Sequence, residues 1–458
     1  MDLPIFFADY FGTRTLVGII AIIHVWINHA FAVGMIPLVV GVEWWAHRTG
    51  RQEWDALAHK ILGVCFIVTT TVGALTGVGI WLSTALVNPY AIGSLLRVFY
   101  WAWFSEWVVF VAEVSLILVY YLTWKRMTGL RKSRHIRIGV ILGLMSWLTM
   151  AIIVAILGFM MNPGSWLEQR DLLAGFTNPI YLPQLLFRTA AALTMAGSLA
   201  LALSLAFTDR DSPLRTQAIK LFSGWSLFWL APTLIGGLAY HHVIPQAMLN
   251  NMPVAFGTQA WQDLYGQLVH FTFLAVVAVA LCSLWGLWQP LRTNPLVWIV
   301  PVLLLTGLIG YFERTREFIR KPYAIGYYMY ANGIRVDEVP YLVKTGVLAN
   351  CSWTTHRRVT EQNKEAAGRD LFMVLCSRCH TLNGINSVGE NLAKMYPDQS
   401  TWSPAAIESF LKNIHGARPF MPPFIGTTDE RGALAAYLAT LGNRRDIPPP
   451  VAVAAFNE

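Results

Sequence analysis

Charge is what this chain has least of. Of its 458 residues only 13% are Asp, Glu, Lys or Arg, while 55% are hydrophobic and 13% aromatic. That balance fits a polytopic membrane protein carrying one small soluble domain. The formal net charge of +8 is no sign of nucleic-acid binding, because much of it sits in short loops between apolar runs, where Lys and Arg set topology. Cysteine is scarce too. Cys65 and Cys282 lie inside apolar runs and read as small core residues, and Cys351 has no obvious disulfide partner. That leaves Cys376 and Cys379. The segment from Met1 to Arg14 lacks the basic start and small-residue cleavage site of a secretory signal, so the first apolar run is expected to act as an uncleaved insertion signal.

A spanning helix needs roughly 20 mostly apolar residues. We expect an all-α bundle of about eight such helices, near 15–42, 60–87, 98–123, 138–161, 182–207, 217–240, 264–288 and 295–312. The strongest topology signal is the basic loop from Lys125 to Arg137, which belongs in the cytoplasm. Arg48, Arg51 and Lys60 share its side if the helices alternate, as do Arg210, Arg215 and Lys220. The loop from His242 to Asp263 has neither Lys nor Arg. Both ends of the bundle's chain are therefore expected outside. The stretch from Glu313 to Tyr323 is basic yet also outside. It reads as an interfacial anchor, or as a site for anionic groups or a docking partner. Residues 324–335 read as an interfacial segment. The expected domains are 1–335 in the membrane, a polar linker 336–364, a small soluble domain 365–442 and a tail 443–458.

The soluble domain is marked by Cys376-Ser377-Arg378-Cys379-His380. Cys-x-x-Cys-His is the attachment signature of a c-type haem: two thiols add across the vinyl groups and His380 supplies the proximal iron ligand. Such attachment happens on the outer face of the energy-transducing membrane, in agreement with the topology drawn from charge alone. Helices are expected from Ala366 to Leu375, at 404–414 and at 429–441, as in a small class I cytochrome c. The sixth ligand should be a Met in a downstream loop. Met421, held between prolines in Arg418-Pro419-Phe420-Met421-Pro422-Pro423-Phe424, fits best, with Met395 and His415 as rivals.

Ionisable residues inside a span are costly and default to functional candidates. Counted at about 1.5 Å per residue, His24, Glu106, Arg188 and His270 fall in the outer half of the membrane, with Glu113 two turns deeper than Glu106 on the same face. His241 and His242 sit at the outer end of the sixth helix. His24 and His270 are the expected ligands of one or two b-type haems, and His241 or His242 a ligand or part of a quinol site. His29 is about 140° round from His24 on an ideal helix, so the two cannot serve one iron, and it reads as a hydrogen-bonded core residue. Arg188 suits a haem propionate or an ion pair with Glu106 or Glu113, and Arg320 suits a second propionate.

The first three helices resemble subunit I of the cytochrome bd quinol oxidases. The residues are Ile23-His24-Val25-Trp26 with Gly34-Met35 downstream, Ser105-Glu106-Trp107 and Ala112-Glu113-Val114. Gly310-Tyr311-Phe312, Glu317, Arg320-Lys321-Pro322-Tyr323 and Asn178-Pro179 extend the likeness over about 10–330. It implies an axial haem ligand at His24 and proton-carrying roles for Glu106 and Glu113. The departures are as informative. The family's helix-5 His, a haem b ligand, falls on Arg188, and a ligating Glu falls near Tyr327. The quinol loop shrinks to roughly His241–Asp263, and a cytochrome c domain replaces the last helix. We therefore expect an electron-transfer subunit of a respiratory complex in the bacterial inner membrane, with its cytochrome c domain on the periplasmic side. Its expected partners are other membrane subunits, a cytochrome c and the quinone pool. The alternative is a terminal oxidase that reduces oxygen.

Overall fold

The structure is a computed structural model, and it describes residues 2–257, 268–293, 295–396 and 402–443. Eight long helices form the bundle: α1 (Thr13–Thr49), α2 (Gln52–Val87), α3 (Pro89–Thr123), α4 (Gly129–Met161), α5 (Tyr181–Phe207), α6 (Pro213–Val243), α7 (Leu268–Trp288) and α8 (Pro295–Ile319). Among the described residues seven helices are long and apolar enough to cross a membrane; α8 is not counted with them. The start of the expected span 264–288 and the tail beyond Asn443 lie outside the described residues.

The starts of these helices follow from their sequences. Asn88 Oδ1 accepts the Ala91 N–H at 3.2 Å ahead of α3, with Pro89 in the first turn. Ser212 and Pro213 do the same for α6. Helix α1 widens to a π-turn over Asn28–Gly34, where nearly every residue is buried. There α1 crosses α5 at bare backbone: a Cβ on Gly34 would lie 2.2 Å from the Ala192 carbonyl oxygen. Helices α5 and α6 pack along each other, α8 rests on α1, α5 and α7, and α3 pairs with α4.

At the end of the bundle that carries the Lys125–Arg137 loop, four helices are tied by a buried polar cluster. Glu43 accepts from Tyr120 Oη at 2.5 Å and His135 Nδ1 at 2.5 Å, and forms an ion pair with Lys132 Nζ at 2.7 Å. Lys132 also reaches Asp55 at 2.7 Å, and His135 Nε2 donates to the Tyr120 carbonyl at 2.8 Å. A buried carboxylate is tolerated because both of its oxygens meet a donor or a cation.

At the opposite end the sequence expectations change. Helix α8 does not stop at 312 but runs on through Glu313, Arg316 and Glu317 to Ile319, since these charges find partners within the protein. Residues 324–335, expected as an interfacial segment, instead form a small antiparallel hairpin of β1 (Tyr323–Ile325) and β2 (Met329–Tyr330). It is seated on α4 by the Gly326 N–H to the Met160 carbonyl at 2.9 Å.

The segment expected as a polar linker, 336–364, carries helix α9 (Val339–Thr345) and is built into the C-terminal domain. Leu342, Val347, Leu348 and Cys351 are buried in one core with Leu371, Phe372, Ala433, Leu434 and Tyr437. The Glu430 carboxylate accepts the Val347 and Leu348 N–H groups at 3.0 and 2.8 Å, which fixes this turn. Around that core stand α10 (Lys364–Leu375), α11 (Val388–Met395), α12 (Pro404–Lys412) and α13 (Thr428–Thr440), with α10 packed on α13. A capping box between Thr427 and Glu430 starts α13.

Candidate haem sites

Helix α10 delivers Cys376 at its C-terminal end, and the chain turns tightly through the motif. The Cys379 and His380 N–H groups both bond the Cys376 carbonyl, at 3.0 and 2.9 Å. Cys376 and Cys379 are not joined by a disulfide. Burial pushes the Cys376 thiol up to about 12. His380 is held neutral by burial, which lowers its pKa below the ordinary value. Its Nδ1 lies 3.2 Å from the Asn386 carbonyl oxygen, which leaves Nε2 as the ligating atom. Asn386 adopts a left-handed conformation (φ 59°) and donates through Nδ2 to the Cys379 carbonyl at 2.7 Å.

Met421 is half-buried, and its carbonyl accepts from His415 Nδ1 at 2.6 Å. One nitrogen of the rival His415 is thereby spent on the backbone of the favoured Met. Met395 sits in the last turn of α11. The Met421 loop rests on the bundle: the Phe420 and Phe318 rings are 6.0 Å apart.

Between the haem motif and α8 lies a knot of cations. Arg320 is bonded to Glu317, Lys321 reaches the same carboxylate at 3.2 Å, and Arg14 approaches it at 3.6 Å. Arg188 is bonded to Glu313, which Arg316 also holds, at 2.9 Å. These five cations face two carboxylates. Arg14 Nε, Arg188 Nε, Arg316 Nη1 and Arg320 Nε are buried with no hydrogen-bond partner among the described residues. Buried guanidinium donors call for anionic acceptors, and the paired carboxylates of a haem are of that chemistry.

Deeper in the bundle a cavity with about 600 Å3 of open space, its mouth included, is lined mainly by apolar side chains. His29, Arg188, Thr194 and Thr233 are its polar wall, Phe187 and Phe312 its aromatic wall. His29 Nδ1 donates to the Val25 carbonyl at 2.9 Å, so Nε2 carries the lone pair, and it lies 3.3 Å from Arg188 Nη1. This buried imidazole has both nitrogens hydrogen-bonded, Nδ1 to Val25 and Nε2 to Arg188, and an iron on Nε2 would have to replace the Arg188 hydrogen bond.

The other sequence candidates are dispersed. His24 is half-buried on the α2 side of α1, with Nδ1 3.1 Å from the Gly73 carbonyl oxygen and 3.2 Å from Thr76 Oγ1. Glu113 accepts from Ser146 at 2.6 Å and Thr149 at 3.3 Å, and Glu106 is half-buried one stripe up α3. His270, on α7, is exposed, as are His241 and His242 at the end of α6. Arg188 thus pairs with Glu313, not with Glu106 or Glu113. Glu313 was visible only as one member of a basic stretch. The signal that could have found it is the spacing Glu313-x-x-Arg316, which puts an acid and a base on one helix face.

A helical membrane bundle with a haem-binding cytochrome c domain docked on one end is a membrane electron-transfer protein. The chain belongs to the cytochrome bd terminal oxidase subunit I family, which it matches over residues 13–262. Residues 363–438 match subunit III of cbb3-type cytochrome c oxidase. Among solved structures, the bd oxidase from Geobacillus thermodenitrificans shares the fold, with a TM-score of 0.57 and 15% identity, covering 68% of this chain and 87% of that one. No curated protein sequence matches. The protein is accordingly an integral membrane haem subunit of a respiratory oxidase type.

Proposed function

We propose that the chain is a conduit for electrons between the quinone pool, or a partner redox subunit, and a single covalent haem c on the periplasmic side of a bacterial inner membrane. The observation that carries this reading is one packed side-chain cluster, holding Phe187, Phe312, Phe318 and Phe420, that reaches from the cavity wall to the Met421 loop. Phe187 and Phe312 wall the cavity, and Phe318, two turns further along α8, meets Phe420 beside Met421.

In this reading Cys376 and Cys379 hold the haem c covalently and His380 and Met421 ligate it. His29 holds a b-type haem in the cavity. His24 is the ligand of a second if there are two, with His270, His241 and His242 the remaining candidates. Bound haem supplies a one-electron carrier whose potential is set by its ligands and surroundings. The chain's own residues do the rest. Arg188, Arg316 and Arg320 pair with the haem carboxylates, the apolar wall excludes water, and Glu106 and Glu113 accept protons released when a quinol is oxidised. Other membrane subunits and a cytochrome c are the partners.

The competing reading is an oxygen-reducing terminal oxidase. Carbon monoxide decides between them. The conduit binds none in its reduced form and consumes no oxygen with quinol or cytochrome c; a CO-binding, high-spin haem with oxygen turnover refutes it.

A further inference from the structure

The segment ahead of α1 is clasped to the haem motif loop more than 360 residues away. Asp9 is buried, at 6% exposure. Its Oδ1 accepts the Leu382 N–H at 2.6 Å and the Asn383 N–H at 3.3 Å, and its Oδ2 accepts from Asn383 Nδ2 at 2.7 Å. The neighbouring backbone joins in: the Ile385 N–H donates to the Tyr10 carbonyl at 3.1 Å, and Thr13 Oγ1 to the Ser377 carbonyl at 3.4 Å. The approach is so close that a Cβ on Gly384 would lie 2.1 Å from the Tyr10 carbonyl oxygen. Phe7 packs edge-on to Phe372, at 6.3 Å between ring centroids.

The loop that Asp9 grips also orients the proximal ligand. It runs from Leu382 to Ser387, is closed on itself by Ser387 Oγ to the Leu382 carbonyl at 2.5 Å, and presents the Asn386 carbonyl to His380 Nδ1 at 3.2 Å. An outer hydrogen bond of this kind sets the orientation and basicity of a ligating imidazole, and with them the potential of the iron it binds.

We propose that Asp9 is a positioning residue for the proximal haem ligand: it holds the Leu382–Ser387 loop so that Asn386 orients His380, and thereby ties the potential of haem c to its seating on α1. Two effects of losing Asp9 share a sign. A weaker Nδ1–H···O bond makes the imidazole a poorer donor to ferric iron, and removal of a nearby negative charge favours the reduced form. Both raise the midpoint potential. The inference rests on His380 as the ligand of an attached haem c, which covalent haem content checks separately in each preparation.

The test is a redox titration and a low-temperature EPR spectrum of the full-length Asp9→Ala and Asp9→Asn proteins. Expected for Asp9→Ala are unchanged covalent haem, a raised midpoint potential and a broadened low-spin signal as His380 loses its single orientation. Asp9→Asn keeps an oxygen for the two backbone N–H groups, so its signal stays narrow while its potential still rises. An unchanged or lowered potential in Asp9→Ala overturns the proposal. If Asp9→Ala does not accumulate, the potential of Asp9→Asn decides by the same criterion.

Discussion

His29 Nε2 and Arg188 Nη1 lie 3.3 Å apart on one wall of an apolar cavity, with the guanidinium's other side bonded to Glu313. The imidazole is anchored by its own helix through Val25, and the arginine by α8. Neither Val25 nor Glu313 lines the cavity, and the Arg188 N–H on His29 Nε2 is the one hydrogen bond that an iron at this imidazole would replace. His29→Ala is therefore expected to abolish the haem b bound in the cavity and leave haem c at full stoichiometry, measured by pyridine haemochrome spectra. Full retention of haem b in that variant, with loss in His24→Ala or His270→Ala, would move the ligand to those residues.

Arg188→Ala leaves Glu313 buried with Arg316 as its remaining partner. Breaking one side of a buried ion pair costs about 3–5 kcal/mol, so the melting midpoint in detergent should fall well below that of the unaltered protein. A midpoint unchanged by the substitution would mean that Arg316 alone suffices.

The buried Glu43 cluster is a stability device at the end opposite the haem domain. Glu43→Ala strands Lys132 and His135 without their shared acceptor and is expected to cost about 3–5 kcal/mol, with haem c spectra unaltered. Change in the haem c potential, measured by the same titration, would show that the two ends are coupled.

Met421→Ala should remove the weak thioether-to-iron absorption of the oxidised protein and lower the haem c potential, because a Met ligand raises it. Persistence of that absorption would pass the role to Met395.

What could be read from the sequence was whatever chemistry imposes locally. Five consecutive residues announce the haem c because two thioethers and one imidazole must reach one porphyrin. Long apolar runs announce the bundle for a similar reason. The sequence hid what depends on distant partners. Glu313 looked like part of a basic anchor until α8 brought it to Arg188, 125 positions earlier. That pairing is also why α8 continues past 312. Asp9 gave no signal at all, since its three donors come from the far end of the chain. The linker was misjudged for the opposite reason: its polar composition conceals four well-spaced core residues, Leu342, Val347, Leu348 and Cys351. His29 read as a hydrogen-bonded core residue, and it is buried and bonded to Val25 and Arg188; what a regular helix gives no warning of is the π-turn over Asn28–Gly34 that carries it at the cavity wall.

The central claim is that this chain carries a non-covalent haem beside its covalent one. Acid acetone extraction of the purified protein, followed by haemochrome spectra of extract and residue, measures both. The account predicts one or two equivalents of haem b in the extract and one of haem c left on the protein. Haem c alone, with nothing extracted, would contradict it.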